Sequence, residues 1–122
     1  MQVDFSSDVP IFVQIAEQIE NAVMSGALAE GEQAPSTTEI SVRFKINPAT
    51  ALKGVNKLAD DGVLYKKRGV GMFVADGARQ MIISKRRQRF FERYMMPMIV
   101  EAEKLELSSE QLYEMIRRGF HR

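Results

Sequence analysis

The sequence predicts an α+β fold, three helices and a β-hairpin followed by a helical tail, and three observations carry that expectation. First, two helix starts lie close together. Ser36-Thr37-Thr38-Glu39 has the spacing of a capping box, and Asn47-Pro48 sets a strong N-cap before a residue suited to a first helical turn. Second, two β-prone runs, Val63 to Lys66 and Met72 to Ala75, flank a basic turn containing Gly69 and Gly71. Third, Phe91, Met95, Met98, Ala102 and Leu105 recur at spacings of 4, 3, 4 and 3, the pattern of a packed helical seam.

Taken in order, the first helix is expected from Pro10, whose missing N–H costs nothing in a first turn, to about Ser25, with Gly26 as its stop. Phe12, Ile15, Ile19 and Val23 form its apolar face, and Glu17 and Glu20 are assigned to the opposite side. A connector, 27–35, leads to the Ser36 cap. The second helix runs about nine residues with Ile40 and Phe44 inward, until Lys45 and Ile46 turn the chain. The third spans Pro48 to Asp60 and ends at Gly62. Its buried stripe is Ala51, Val55 and Leu58, which leaves Ala49, Thr50, Lys53 and Lys57 on more exposed faces. Gly54 lies inside this helix at a cost of ~1 kcal/mol relative to alanine, so a close neighbour is expected there. After the hairpin a helix from about Arg79 to Leu105 should kink at Pro97, and a last one starts at Ser108, with Gln111 completing a capping box, and runs to Gly119. The division is placed at Ala75, giving domains 1–75 and 76–122.

Charge is strongly partitioned although the net value is only +1. Residues 1–34 carry six acids and no Lys or Arg, a net −6; residues 35–75 carry seven bases against three acids, +4; residues 76–122 carry ten bases against seven acids, +3. The basic segment coincides with the paired helices and the hairpin, which is where a polyanion would be held. With 45% hydrophobic and 27% charged residues the composition is that of an ordinary globular chain. No apolar run approaches the ~18 residues needed to cross a bilayer, and the start MQVDFSSDVP is unlike a secretion signal. A cytoplasmic protein with no membrane contact is therefore expected. Without cysteine there is no disulfide framework or thiolate metal site. The single histidine, His121, is next to the C-terminus, no phosphate-cradling loop is present, and Asp60 and Asp61 point apart, so neither enzyme chemistry nor a cofactor or metal is expected.

Two short helices joined by a tight turn, the second opening with small polar residues and followed by a basic hairpin, meet the demands of major-groove reading: a winged helix-turn-helix. The stretch from Pro10 to Val74 resembles the DNA-binding domain of the GntR family of bacterial regulators. The matching residues are Pro10-Ile11-Phe12, Gln14, Gly26, Leu28, Gly31, Pro35-Ser36, Thr50, Leu58, Gly62 and Gly69-Val70-Gly71-Met72-Phe73-Val74. Ile46-Asn47-Pro48-Ala49-Thr50 and a tail of about 48 residues are most similar to the YtrA subfamily. That resemblance implies a two-helix C-terminal dimerisation tail, a homodimer on a pseudo-palindromic double-stranded DNA operator, and repression of a nearby operon, often one encoding an ABC transporter.

The face expected against DNA comprises Ser36, Thr37, Thr38, Arg43, Lys45, Asn47, Pro48, Ala49, Thr50, Leu52 and Lys53, with Lys67, Arg68 and Gly69 in the wing. Ser36, Lys53 and the wing are assigned to phosphates and Ala49, Thr50 and Leu52 to base edges, Leu52 to a thymine methyl; Asn47 is read chiefly as a cap. Dimer contacts are assigned to Phe91, Met95, Met98, Ala102 and Leu105. The family usually carries Leu before Pro-Ser and Arg two residues after it, where this chain has Ala34 and Thr38, so one expected phosphate or base contact is missing or moved. The basic cluster Lys85, Arg86, Arg87 and Arg89 reads first as a solvated helix face. A two-helix tail leaves little room for an enclosed effector pocket of ~300 Å³ or more. The competing reading is a helical protein-interaction module without DNA binding.

Overall fold

Helix α1 (Ile11–Ser25) buries Ile15, Ala16, Ile19 and Val23, the stripe its apolar spacing predicts. The structure is a computed structural model that describes residues 2–122. Pro10 lies one position outside α1 as its N-cap, where its carbonyl accepts hydrogen bonds from the amides of Val13 and Gln14 (3.0 and 3.1 Å). Glu20 corrects the expectation for this helix. Lying four residues after Ala16 and three before Val23, it falls on the flank of the buried stripe and is only 2% exposed.

Helix α2 (Thr37–Phe44) presents Ile40 inward, and α3 (Pro48–Asp60) buries Ala51, Gly54, Val55 and Leu58. Gly54 has the close neighbour its cost implied: a Cβ there would stand 3.0 Å from the carbonyl oxygen of Phe12 and 3.2 Å from Ile15 Cγ2. The glycine lets α1 and α3 approach through their backbones.

Strands β1 (Leu64–Lys67) and β2 (Gly71–Val74) form an antiparallel hairpin in which Leu64 pairs with Val74 and Tyr65 with Phe73. The connector before α2 joins them. Gly31 and Ala34 donate backbone hydrogen bonds to Val74 and Met72 (both 2.8 Å), Val74 donates to Glu32 (2.9 Å), and Gln33 bridges to Phe73. The wing therefore has a third backbone neighbour on β2, in a segment that reads as a plain linker.

Helix α4 (Ala78–Phe90) starts on this scaffold. The Glu30 carboxylate accepts from the amides of Gly77 and Arg79 (2.7 and 3.2 Å), so an acid satisfies donors left open by a helix start. Arg79 Nε donates to the carbonyl of Met24 (2.9 Å), and Ala78 and Ile82 are fully buried in the same core as Ile15, Val23, Leu58, Val63 and Val74.

The chain divides into two compact units inside α4, the first ending at Ser84 and the second running from Lys85 to Arg122. In the second unit the end of α4 passes through a π turn, Phe91–Met95, into α5 (Met96–Lys104), followed by α6 (Ser109–Phe120) behind a Ser108–Gln111 capping box. The kink expected at Pro97 takes this form. Pro97 has no N–H to donate back, and the helix widens to a π turn immediately before it. A π turn accommodates one extra residue, which rotates Phe91 by about 100° relative to Met98 and Ala102. The 4-3-4-3 spacing therefore does not make one straight stripe. Ala102 is the only buried residue of this unit among those described.

Candidate nucleic-acid interface

The α2–α3 corner is fixed by local hydrogen bonds. Ser36 Oγ accepts from the Glu39 amide (3.0 Å) while Glu39 Oε1 accepts from the Ser36 amide (3.1 Å), completing the capping box. The Ser36 amide, with its hydroxyl and the Arg43 charge in support, holds the Glu39 carboxyl below the usual carboxylate range. Lys45 closes α2 in the left-handed region, φ 55°, a conformation that costs a residue with a side chain. Ile46 donates to the Ser41 carbonyl (3.1 Å), and Ser41 Oγ donates to the Ile46 carbonyl (2.7 Å). Asn47 Oδ1 then accepts from the Ala49 amide (2.7 Å) and starts α3, as the N-cap reading expects.

This corner brings the sequence-derived positions onto its outer surface. Ser36, Thr38, Arg43, Lys45, Asn47, Pro48, Ala49, Leu52 and Lys53 are exposed, whereas Thr37 and Thr50 are half-buried. Lys53 Nζ sits 4.3 Å from the centroid of the Phe12 ring, a cation–π contact that ties its ammonium to the start of α1. Lys57 is paired with Asp61 (3.2 Å). Asn56, unremarked in the sequence reading, is exposed four residues after Leu52 and three after Lys53. Helical period alone places it on their face.

In the wing, Arg68 and Gly69 occupy the exposed tip, closed by the Val70 amide donating to the Lys67 carbonyl (2.9 Å). Lys67 Nζ lies 4.2 Å from the Phe73 centroid and 5.9 Å from that of Tyr65, two rings stacked 6.0 Å apart. Gln33 Nε2 braces the tip from behind by donating to the Val70 carbonyl (2.9 Å). Gly71 makes this possible. It adopts φ 141°, and a Cβ there would stand 2.5 Å from Gln33 Nε2. Gln33 escapes sequence reasoning because its partner is 37 residues away.

The positions assigned to dimer contacts lie in the second unit. Phe91 is 50% exposed, Met98 36% and Leu105 62%; Met95 is half-buried and Ala102 is covered within its own chain. Phe90, Tyr94, Tyr113, Met115, Ile116 and Phe120 add further exposed apolar surface.

Capped α2, a three-residue turn, α3 with an open outer face and a basic wing define a winged helix-turn-helix of the kind found in DNA-binding transcriptional regulators. The chain belongs to the GntR family of bacterial regulatory proteins, whose family model matches residues 12–74. It is 27% identical to the HTH-type transcriptional regulator YhcF of Bacillus subtilis over 117 residues, which span 96% of this chain and 95% of YhcF. Over the same length it is 26% identical to the HTH-type transcriptional repressor YtrA of Bacillus subtilis, covering 96% of this chain and 89% of YtrA. A crystal structure of a GntR-family regulator from Bacteroides thetaiotaomicron superposes with a TM-score of 0.80 at 29% identity, over 92% of this chain and 97% of that one. The protein is thus a transcriptional regulator with a DNA-binding domain rather than an enzyme. No helix among the described residues is long and apolar enough to cross a membrane.

Proposed function

We propose that the protein is a homodimeric repressor that holds a pseudo-palindromic operator with two copies of the corner formed by α2, α3 and the wing. The observation that carries this reading is the outer surface of that corner, where Ser36, Ala49, Leu52, Lys53 and Arg68 stand exposed on capped, hydrogen-bonded elements. Ser36, Lys53, Lys67 and Arg68 contact phosphates and set register, and Ala49, Thr50 and Leu52 face base edges. Thr37, Thr38, Arg43, Lys45, Asn47, Pro48 and Gly69 complete the contact surface.

Pairing is assigned to the helical unit, because exposed Phe91, Met98 and Leu105 leave it without a core of its own. The winged helix-turn-helix is assigned to residues 1–75 and the pairing tail to residues 76–122, the stretch up to Ser84 sharing the first unit's core through Ala78 and Ile82. A dimer doubles the phosphate contacts and offsets the missing family arginine at Thr38. The sign of regulation follows the similarity to the repressor YtrA, and the target is an operon near the protein's own gene. The reading includes no small-molecule effector and places the protein in the bacterial cytoplasm.

Nuclease protection of the DNA upstream of its own gene tests the proposal. Two protected half-sites centred about one helical turn, 10–10.5 base pairs, or a multiple of it apart are expected. No protection at protein concentrations that saturate self-association overturns it. A clear thermal shift with a polar metabolite overturns the effector-free part alone.

A further inference from the structure

Resting on the DNA-binding assignment of α3, we infer that Asn56 reads an adenine in each half-site, so that the α3 face selects A·T pairs. The outer face of α3 consists of Ala49, Leu52, Lys53, Asn56 and Asp60, while Ala51, Gly54, Val55 and Leu58 are turned into the core. Of the lysines of α3, Lys53, over the Phe12 ring at 4.3 Å, is assigned to phosphates, and Lys57 is paired with Asp61 at 3.2 Å. The Asn56 carboxamide makes no hydrogen bond among the described residues. Its oxygen and amino group are both open to a ligand.

The chemistry of that face is selective. In the major groove adenine presents an acceptor, N7, beside a donor, the N6 amino group, and a carboxamide meets both at once. Guanine presents two acceptors, N7 and O6, which call for a fork of donors such as an Arg side chain, and the α3 face carries no Arg. Leu52, 47% exposed one turn before Asn56, and Ala49 are apolar and match the thymine C5-methyl. Side chains four residues apart on a helix are ~5–6 Å apart, within the reach of adjacent base-pair steps at ~3.4 Å. Asn56 and Leu52 thus read neighbouring pairs.

The test selects binding sites from random double-stranded DNA with the full-length protein and with Asn56→Ala, a change that favours the helix, with circular dichroism used to check that the fold is kept. The wild-type motif is expected to contain one adenine per half-site that becomes degenerate in the variant, with affinity for the selected site falling about tenfold or more and affinity for random DNA unchanged. Replacing that adenine by 7-deaza-adenine, which removes N7, is expected to weaken the wild-type protein and not Asn56→Ala. A wild-type motif retained unchanged by the variant, or equal sensitivity of both proteins to 7-deaza-adenine, overturns the inference about Asn56. Failure of the wild-type protein to select any sequence overturns the DNA-binding assignment beneath it.

Discussion

The two units of the chain solve the burial problem differently. The unit ending at Ser84 gathers α1, α2, α3, the hairpin and the first turns of α4 around Ile15, Val23, Leu58, Val63, Val74 and Ile82, all at 1% exposure or less. The unit from Lys85 to Arg122 buries Ala102 alone among its described residues and leaves Phe91, Met98, Leu105, Tyr113 and Phe120 in solvent. The first has the interior of an independent domain. The second leaves apolar surface exposed, which the proposed pairing would cover. A DNA-reading surface must be rigid before it meets its ligand, whereas a pairing surface is completed by its copy.

The sharpest break in this comparison comes from the core. Leu58→Ala is expected to lower the stability of the first unit by about 2–5 kcal/mol, measured by urea denaturation, and to abolish operator binding. A midpoint close to wild type would mean that the core is not the source of rigidity. Next in size, replacing Met98 and Leu105 together with Glu is expected to weaken self-association by about 3 kcal/mol or more in sedimentation equilibrium, while the denaturation profile of the first unit in dilute solution stays as it was. If both properties fall together, the units are not separable in this way. The wing gives a smaller effect: Gly71→Ala forces a Cβ against Gln33 Nε2 at an unfavourable φ and should cost about 1–3 kcal/mol. Its signature is weaker DNA binding with unchanged sedimentation.

Glu30→Ala tests how the start of α4 is held within the first unit. Losing the carboxylate that accepts from Gly77 and Arg79 is expected to cost about 1 kcal/mol and to raise hydrogen exchange at those amides. The smallest effect concerns pH. Glu39 has its pKa lowered in the folded state by the Ser36 amide, so its contribution is complete above the ordinary carboxylate pKa and disappears as pH falls through the depressed folded value. Glu39→Gln should therefore flatten the acid limb of the stability profile by lowering its neutral plateau towards the acid value. An acid limb identical in both proteins would remove the capping box from the account.

What could be read from the sequence divides along a similar line. Ser36, Asn47-Pro48 and Ser108 announce helix starts because a cap and the amides it satisfies lie within a few residues. The hairpin was legible in its glycines, with strands one residue later at both ends of β1 and one earlier at both ends of β2 than the β-prone runs indicate. Gln33 behind the wing and Glu30 on α4 were not legible, because their partners are 37 and 47 residues distant and nothing local marks the pairing. Glu20 misled because a charged residue on the flank of an apolar stripe can fall on either side of the burial boundary. The π turn was hidden for a related reason: Pro97 signals a disturbed helix, but not whether the chain bends or takes an extra residue. At the candidate interface the exposed positions follow helical period. Asn56 was within reach of that argument, whereas the contact of Lys53 with Phe12 depends on how α1 crosses α3.

The central claim, that the corner formed by α2, α3 and the wing binds DNA through phosphates and base edges, is tested most directly by operator affinity as a function of salt for wild-type protein and Arg68→Ala. The account predicts a logarithmic plot that falls steeply for wild type, with a slope shallower by about 0.9 per half-site for the variant and weaker binding throughout. Equal slopes and equal affinities would remove the wing from the interface, and no binding by the wild-type protein at any salt concentration would contradict the claim as a whole.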